Sequence, residues 1–204
     1  MTGRERVASR VSRETLEAFD VYVDLLEKWT PKINLISAAT RHEIWDRHID
    51  DSLQIVDLSP KCFAHWVDLG SGAGLPGLVA AIVHKHDPAK RFTLVESDMR
   101  KGVFLSNVIK ELELNASVIA ERIEAIPPLS SDILSARALA PLDVLLEFTH
   151  THRIPNGIAL FPKGQKAQTE LTLARKNWHV DVVRHPSRTD AEACILEIGT
   201  LSRV

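Results

Sequence analysis

Cysteine is scarce in this 204-residue chain, which carries only Cys62 and Cys194, far apart. A scaffold stapled by many disulfides is excluded; one long-range disulfide is conceivable, but with no export signal expected, two reduced, buried thiols are the preferred reading. Long apolar runs are missing as well, and none approaches the ~18 residues that a membrane span requires. The opening stretch MTGRERVASR is polar and Arg-bearing with no apolar block behind it, so no secretory signal is expected and the protein is expected in the cytoplasm. Neither sign of charge dominates: 25 Lys and Arg against 27 Asp and Glu leave a net charge of -2. That excludes a broadly basic nucleic-acid coat but leaves room for a local basic face. Arg4, Arg6, Arg10 and Arg13, set against Glu5 alone among the nearby acids, read as a solvated end in preference to a binding site. Repeats, low-complexity tracts and Gly/Ser linkers are also absent.

What is present is ample for a core. Hydrophobic residues make up 45% of the chain, rich in Leu, Ile, Val and Ala, which fits one domain or a domain with a short extension. Between 12 and 29, Leu16, Phe19, Val23 and Leu26 recur at helical spacing, with Tyr22 and Trp29 widening the stripe. Ser12 can cap that helix and Pro31 is expected to stop it. Thr40 and Glu43 are spaced as a capping box for a second helix, with Ile44, Ile49, Leu53 and Val56 inward and Pro60 closing it. Residues 1–60 are therefore expected to form a helical N-terminal extension. From residue 61 onward, seven short strands are expected at 66–69, 92–95, 117–120, 132–134, 158–161, 179–183 and 193–198. Helices are expected at 75–84, through Phe104 to Leu112, at 142–148 and at 169–175. Strands alternating with helices predict a doubly wound α/β domain over 61–204, with a parallel sheet covered on both faces.

Ligands of such sheets bind at the carboxyl ends of the strands, near the point where strand order reverses. There the chain reads Asp68-Leu69-Gly70-Ser71-Gly72-Ala73-Gly74. Gly70, Gly72 and Gly74 let a cofactor approach the backbone, and Glu96, at the end of the second strand, can accept both ribose hydroxyl hydrogens of a nucleoside. Tight turns need glycine anyway, so the turn alone is a weak signal; joined to Glu96 it favours a nucleoside cofactor. Gly72, Gly74 and Gly77 can also be set as G-x-G-x-x-G, which keeps a nicotinamide enzyme in play. The D-x-G-x-G-x-G pattern is instead the one associated with S-adenosylmethionine-dependent methyltransferases. That cofactor has no phosphate for Asp68 to repel, and methyl transfer is the preferred reading.

Asn34-Leu35, Arg47-His48, Asp51-Ser52 and DLGSGAGLPG from Asp68 to Gly77 come first in an ordered set. Glu96-Ser97, Arg100-Lys101, Phe104-Leu105, Arg122-Ile123-Glu124, Ser135-Ala136-Arg137-Ala138 and Lys163-Gly164 follow. With these motifs the chain, from about residue 16 to its C-terminus, resembles the bacterial small-subunit rRNA guanine-N7 methyltransferase G family, also called glucose-inhibited division protein B. The resemblance implies a Rossmann-like class I methyltransferase that moves a methyl group from S-adenosyl-L-methionine to N7 of a guanine in 16S rRNA, usually the guanine called 527. It implies cofactor contact at Gly70, Leu75, Glu96, Ile123, Glu124 and Arg137, beside the glycine-turn residues Asp68, Gly72 and Gly74. Ile123 can equally be core, and 122–124 a charged surface turn. Arg137 and Lys163 are the candidates for positioning the base, through O6 or a phosphate. Arg47, His48, Arg100 and Lys101, with Lys163, are candidate RNA contacts, ordinary surface ion pairs being the competing reading.

The motifs that are lacking agree. Guanine N7 carries a lone pair and no proton, so its methylation requires no general base and rests on orientation. No N-P-P-[YF] stands at the fourth strand, and neither cysteine is expected in a strand-end loop of the core, which disfavours adenine amino methylation and cysteine attack on a pyrimidine. Histidines in H-x-H pairs do not make a zinc set, so no metal is expected. The expected partner is 16S rRNA or the small ribosomal subunit, with no membrane and a monomeric protein. The alternative is an S-adenosylmethionine-dependent methyltransferase of a small molecule or protein.

Overall fold

A computed structural model describes residues 2–204. Two N-terminal helices, α1 (Gly3–Ala8) and α2 (Arg13–Ile33), lead into a 3-10 helix at Ala38–Glu43, a π-helix at Ile44–Asp50 and α3 (Asp51–Leu58). The sheet domain then runs β1 (His65–Leu69), α4 (Gly77–Val83), β2 (Arg91–Val95), α5 (Met99–Glu111), β3 (Ala116–Ile119), a 3-10 turn (Ile123–Ala125) and β4 (Ser131–Ala136). It closes with α6 (Leu142–His152), β5 (Arg153–Lys163), α7 (Ala167–Ala174), β6 (Trp178–Pro186) and β7 (Cys194–Arg203).

The seven strands stand in the order β3-β2-β1-β4-β5-β7-β6. Pairing from β3 through β5 is parallel, whereas β7 runs antiparallel to both β5 and β6. The expected fully parallel sheet is thus mixed. The 187–193 connection has no helix to carry a crossover, so the chain must turn back beside its own strand. Along β1 the side chains alternate between faces: Trp66 joins the core beneath α2, α4 and α5, and Val67 and Leu69 join the one beneath α6 and α7. Leu69 stands beside Val95 of β2 and Ala136 of β4, so the carboxyl ends align where strand order reverses.

Several N-terminal expectations need correction. Pro31 does not stop α2, which continues to Ile33 before Asn34 closes it in a left-handed conformation with φ of 50°. Pro31 sits in the last turn on an exposed face, where water can serve the carbonyl that loses its partner. Thr40 is not a helix cap. Ser37 Oγ accepts the Thr40 amide at 3.3 Å, and the Thr40 hydroxyl meets His48 Nε2 at 3.0 Å. Further on, the helix expected over 75–84 begins only at Gly77, with Pro76 as its N-cap. Cys62 is exposed, on the polar link before β1, and only Cys194 is buried; both are free thiols.

The arginines at the start of the chain are fully engaged. Arg4 pairs with Asp20, Arg6 with Asp46 and Asp50, Arg10 with Asp50 and Asp57, and Arg13 with Glu17. The pairs of Arg4, Arg6 and Arg10 tie α1 and the link after it to α2, the π-helix and α3, the Arg13 pair lies within α2, and the four do not form a free basic arm. Helix α2 places Phe19, Tyr22, Val23, Leu26 and Thr30 inward, and Trp29 meets Phe104 of α5 with ring centroids 5.8 Å apart. Its fully buried Tyr22 donates through Oη to the Ala73 carbonyl at 2.7 Å, which joins the helical segment to the glycine turn. Tyr22→Phe leaves that carbonyl without its donor, and the expected loss is about 1–2 kcal/mol. Urea unfolding checks this: the midpoint falls at constant m-value, and an unchanged midpoint contradicts the clamp.

Candidate functional site

Residues 70–76 form a tight turn after β1 that is held from several sides. The Ser71 amide donates to the Val95 carbonyl at 3.0 Å, Ser71 Oγ donates to the Asp68 carbonyl at 2.9 Å, and the Gly74 amide donates to the Ser71 carbonyl at 2.6 Å. Gly70 and Gly74 adopt φ of 62° and 90°, and a Cβ there would meet Leu139 at 2.5 Å and Leu78 at 2.3 Å. Gly72 has φ of 56°, and a Cβ there would meet only the Gly70 carbonyl oxygen, at 3.8 Å. Its amide donates to Glu96 Oε2 at 2.8 Å, and the Asp98 amide donates to Oε1 at 2.8 Å. The Glu96 carboxylate is therefore fixed in direction, and each oxygen keeps a lone pair toward the cavity.

That cavity has a volume of about 540 Å³ and is lined by Gly70, Gly72, Leu75, Glu96, Ile123 and Glu124, among others. Lys101 and Arg137 also border it. Asp68 lies beneath. Its Oδ1 accepts from Ser135 Oγ at 2.6 Å, and Ser135 in turn accepts from Trp66 Nε1 at 2.8 Å. Oδ2 has no hydrogen bond of good geometry, although the nearby Gly77 amide favours the ionised form. Burial outweighs these donors and pushes the carboxyl up to about 6.

A second cavity of about 510 Å³ opens beside the first, and both have Arg137, Ala138, Leu139 and Ala140 in their walls. Ala138 holds a left-handed φ of 54°, uncommon for a residue with a Cβ. Half-buried Arg137 donates to the Arg47 carbonyl at 3.2 Å and approaches His48 Nδ1 at 3.2 Å, both from the π-helix. Lys163 Nζ donates to the Ala140 carbonyl at 2.9 Å and to Glu170 at 2.8 Å. Across the cavity, Arg47 pairs with Asp190 at 3.2 Å, and Asp51 accepts from the Thr189 hydroxyl. Burial pushes the Asp51 carboxyl up, and burial with the adjacent arginines pushes the His48 imidazole down to about 4, leaving it neutral at pH 7.

The chain matches the family model described as rRNA small subunit methyltransferase G over residues 15–194. It belongs to that family. Relatives named Ribosomal RNA small subunit methyltransferase G include one from Cereibacter sphaeroides, 46% identical, covering 97% of this chain and 95% of its own. Another, from Paracoccus denitrificans, is 49% identical, covering 94% of this chain and 97% of its own. Among solved structures, a SAM-dependent methyltransferase from Aquifex aeolicus aligns with TM-score 0.60 at 12% identity, over 84% of this chain and 97% of that one. The N-methyltransferase NodS from Bradyrhizobium japonicum aligns with TM-score 0.54 at 14% identity, over 88% of this chain and 97% of that one. At such identities these two show the fold, that of class I methyltransferases.

In this family member the expected site residues divide. Gly70, Gly72, Leu75, Glu96, Ile123, Glu124 and Arg137 gather around the first cavity. Asp68 and Gly74 do not line it; the first is sealed behind the turn and the second packs against Leu78. Arg47 and Lys163 line the second cavity, whereas Lys101 lines the first. His48 is buried and so does not offer a surface for RNA. Arg100 is exposed and paired with Asp98, the N-cap of α5, at 3.1 Å. Tyr22, Ser135 and the 187–193 loop were missed by sequence reasoning. Ser135 and Asp51 stand in the motif set without an assigned role, Tyr22 was read only as part of an apolar stripe, and no local pattern marks the loop.

Asp68 generates a pH test. Its carboxyl ionises near 3.8 in the unfolded chain and near 6 when folded, so the folded state binds more protons between those values. This contribution to stability is present below the lower value and lost as pH rises through the upper one, by about 3 kcal/mol in total. Denaturant unfolding of wild type and Asp68→Asn across that window should show the wild type losing ground as pH rises. A difference independent of pH contradicts the assignment.

Proposed function

We propose that this protein transfers a methyl group from S-adenosyl-L-methionine to N7 of a guanine in 16S rRNA, acting as a monomer on the small subunit or its rRNA. The observation that carries the proposal is the pair of cavities with a common wall at Arg137–Ala140: one suits a nucleoside cofactor, the other a base. Family membership and the names of the relatives support the same reading.

The first cavity fits the cofactor. Its volume of about 540 Å³ lies within the usual ligand range. Glu96 presents fixed acceptors to a ribose, Gly72 leaves the backbone open, and Ile123 offers an apolar face to adenine. A dinucleotide fits less well. The start of α4, where a pyrophosphate would sit, already faces the buried Asp68 carboxyl, and a Cβ on Gly77 would lie 2.7 Å from that residue's Cβ. When bound, S-adenosylmethionine supplies an electrophilic methyl group on a sulfonium.

Everything else falls to the residues of the chain. Lys163 and Arg137 border the second cavity with N–H donors suited to guanine O6, while N7 keeps its lone pair free toward the common wall. No side chain has to take a proton, because N7 carries none. Catalysis then rests on alignment and on exclusion of water. Residues 1–60 and 61–204 work as one unit here, since the π-helix supplies the carbonyl that holds Arg137.

Labelled cofactor, small subunits lacking the modification and digestion to nucleosides test the proposal: label should appear as N7-methylguanine in 16S rRNA, and label elsewhere or nowhere refutes it. The division of labour has its own test. Glu96→Gln replaces an acceptor with an amide donor at the ribose and should weaken S-adenosylhomocysteine binding on the order of 10–100-fold. Lys163→Ala should leave that affinity within about 3-fold and reduce rRNA methylation at least 10-fold, as loss of a charged hydrogen-bond donor predicts. Calorimetry and radiolabel transfer on the same proteins check both, and the reverse pattern contradicts the assignment of the two cavities.

A further inference from the structure

The second cavity holds three carboxylates that differ in how well the protein satisfies them. Glu170 has the Lys163 ammonium and the Leu142 amide, the latter at 2.9 Å, and Asp190 has the Arg47 guanidinium. Asp51, the first residue of α3, has only the neutral Thr189 hydroxyl, on Oδ1. Among the described residues none donates a hydrogen bond to its Oδ2, yet that oxygen is not sealed in the interior. Arg137 is the cation whose charge Asp51 feels most strongly, and it borders the same cavity without pairing with it. A half-buried carboxylate with one vacant oxygen, lining the same cavity as a guanidinium it does not pair with, is one half of a recognition site.

From this geometry we propose that Asp51 reads the Watson–Crick edge of the target guanine, accepting from N1–H and the 2-amino group while Arg137 or Lys163 donates to O6. This rests on the function proposed above and extends it to the choice of base. Guanine presents one acceptor and two adjacent donors along that edge. Adenine would set its 6-amino group against the cations and its N1 lone pair against the Asp51 oxygen, so both ends repel it. The same carboxylate acts on the rate. As N7 forms its bond to the methyl carbon, the carbon–sulfur electron pair leaves with sulfur and positive charge passes to the purine. N1–H and the 2-amino group become stronger donors as that charge develops, so their bonds to Asp51 strengthen in the transition state. No proton has to move.

Small subunits reconstituted with 16S rRNA carrying inosine at the target position test this, because inosine keeps N7, O6 and N1–H and lacks only the 2-amino group. With wild-type protein the single-turnover rate should fall on the order of 10–100-fold from guanosine to inosine. Asp51→Ala should be slow on both, with the guanosine-to-inosine ratio reduced to about 3 or less. Thr189→Val removes the loop contact but keeps the carboxylate, and should retain the wild-type ratio; a merely structural Asp51 would make the two variants alike. S-adenosylhomocysteine affinity, measured by calorimetry on each protein, should stay within about 3-fold of wild type. Wild type that forms N7-methylguanine and treats guanosine and inosine alike overturns this inference and leaves the function standing. Wild type that forms no N7-methylguanine on the guanosine substrate overturns both.

Discussion

A turn with glycine at every second position has few side chains with which to hold its own shape, so much of its conformation must be imposed from outside. Two side chains from elsewhere impose it, beside the bonds of Ser71: the Tyr22 hydroxyl grips the Ala73 carbonyl, and the Glu96 carboxylate grips the Gly72 amide. The first comes from a helix that precedes the sheet domain and the second from the end of the neighbouring strand. A displaced turn would lose the cavity floor and the orientation of Glu96 together. The positive φ values at Gly70, Gly72 and Gly74 express the same constraint in the backbone.

Arg137 plays the corresponding part on the other side. It leaves the end of β4, borders both cavities, and is held by the carbonyl of Arg47 on the π-helix. Widened helical turns of that kind recur at functional sites, and here the segment also carries His48, kept neutral beside two arginines. The N-terminal segment therefore supplies one grip on each cavity. Its ion pairs from Arg6 and Arg10 to Asp46, Asp50 and Asp57 fasten α1 onto the π-helix and α3. Gln54 Nε2 adds a bond to the Pro186 carbonyl at 2.7 Å, so α3 also braces the β6–β7 connection that closes the second cavity.

How much of this was legible in the residues depends on the range of the interaction. Apolar alternation and turn chemistry are local, and they located all seven strands and the principal helices. D-x-G-x-G-x-G followed by Glu96 located the first cavity for the same reason. Strand direction at the far edge was read wrongly because nothing local distinguishes a strand returning antiparallel from one reached by a crossover. In the second cavity a role was legible only for Arg137, Lys163 and Arg47; Asp51 stood in a motif without a role, because it, Arg47, Thr189 and Asp190 meet through contacts spanning well over a hundred positions. His48 shows the limit from the other direction. A histidine beside an arginine reads as part of a basic surface, and only packing reveals it to be buried and neutral.

The central claim is that the two cavities face each other across Arg137–Ala140 and present N7 to the methyl group. A structure of the enzyme on small subunits whose target guanine is replaced by 7-deazaguanine, with S-adenosylmethionine intact, tests it most directly, because carbon in place of N7 prevents transfer. The predicted result is the base in the cavity of about 510 Å³, its carbon 7 directed at the common wall and within ~3–3.5 Å of the methyl carbon. A base lodged outside that cavity, or held there with carbon 7 turned away from the wall, would contradict it.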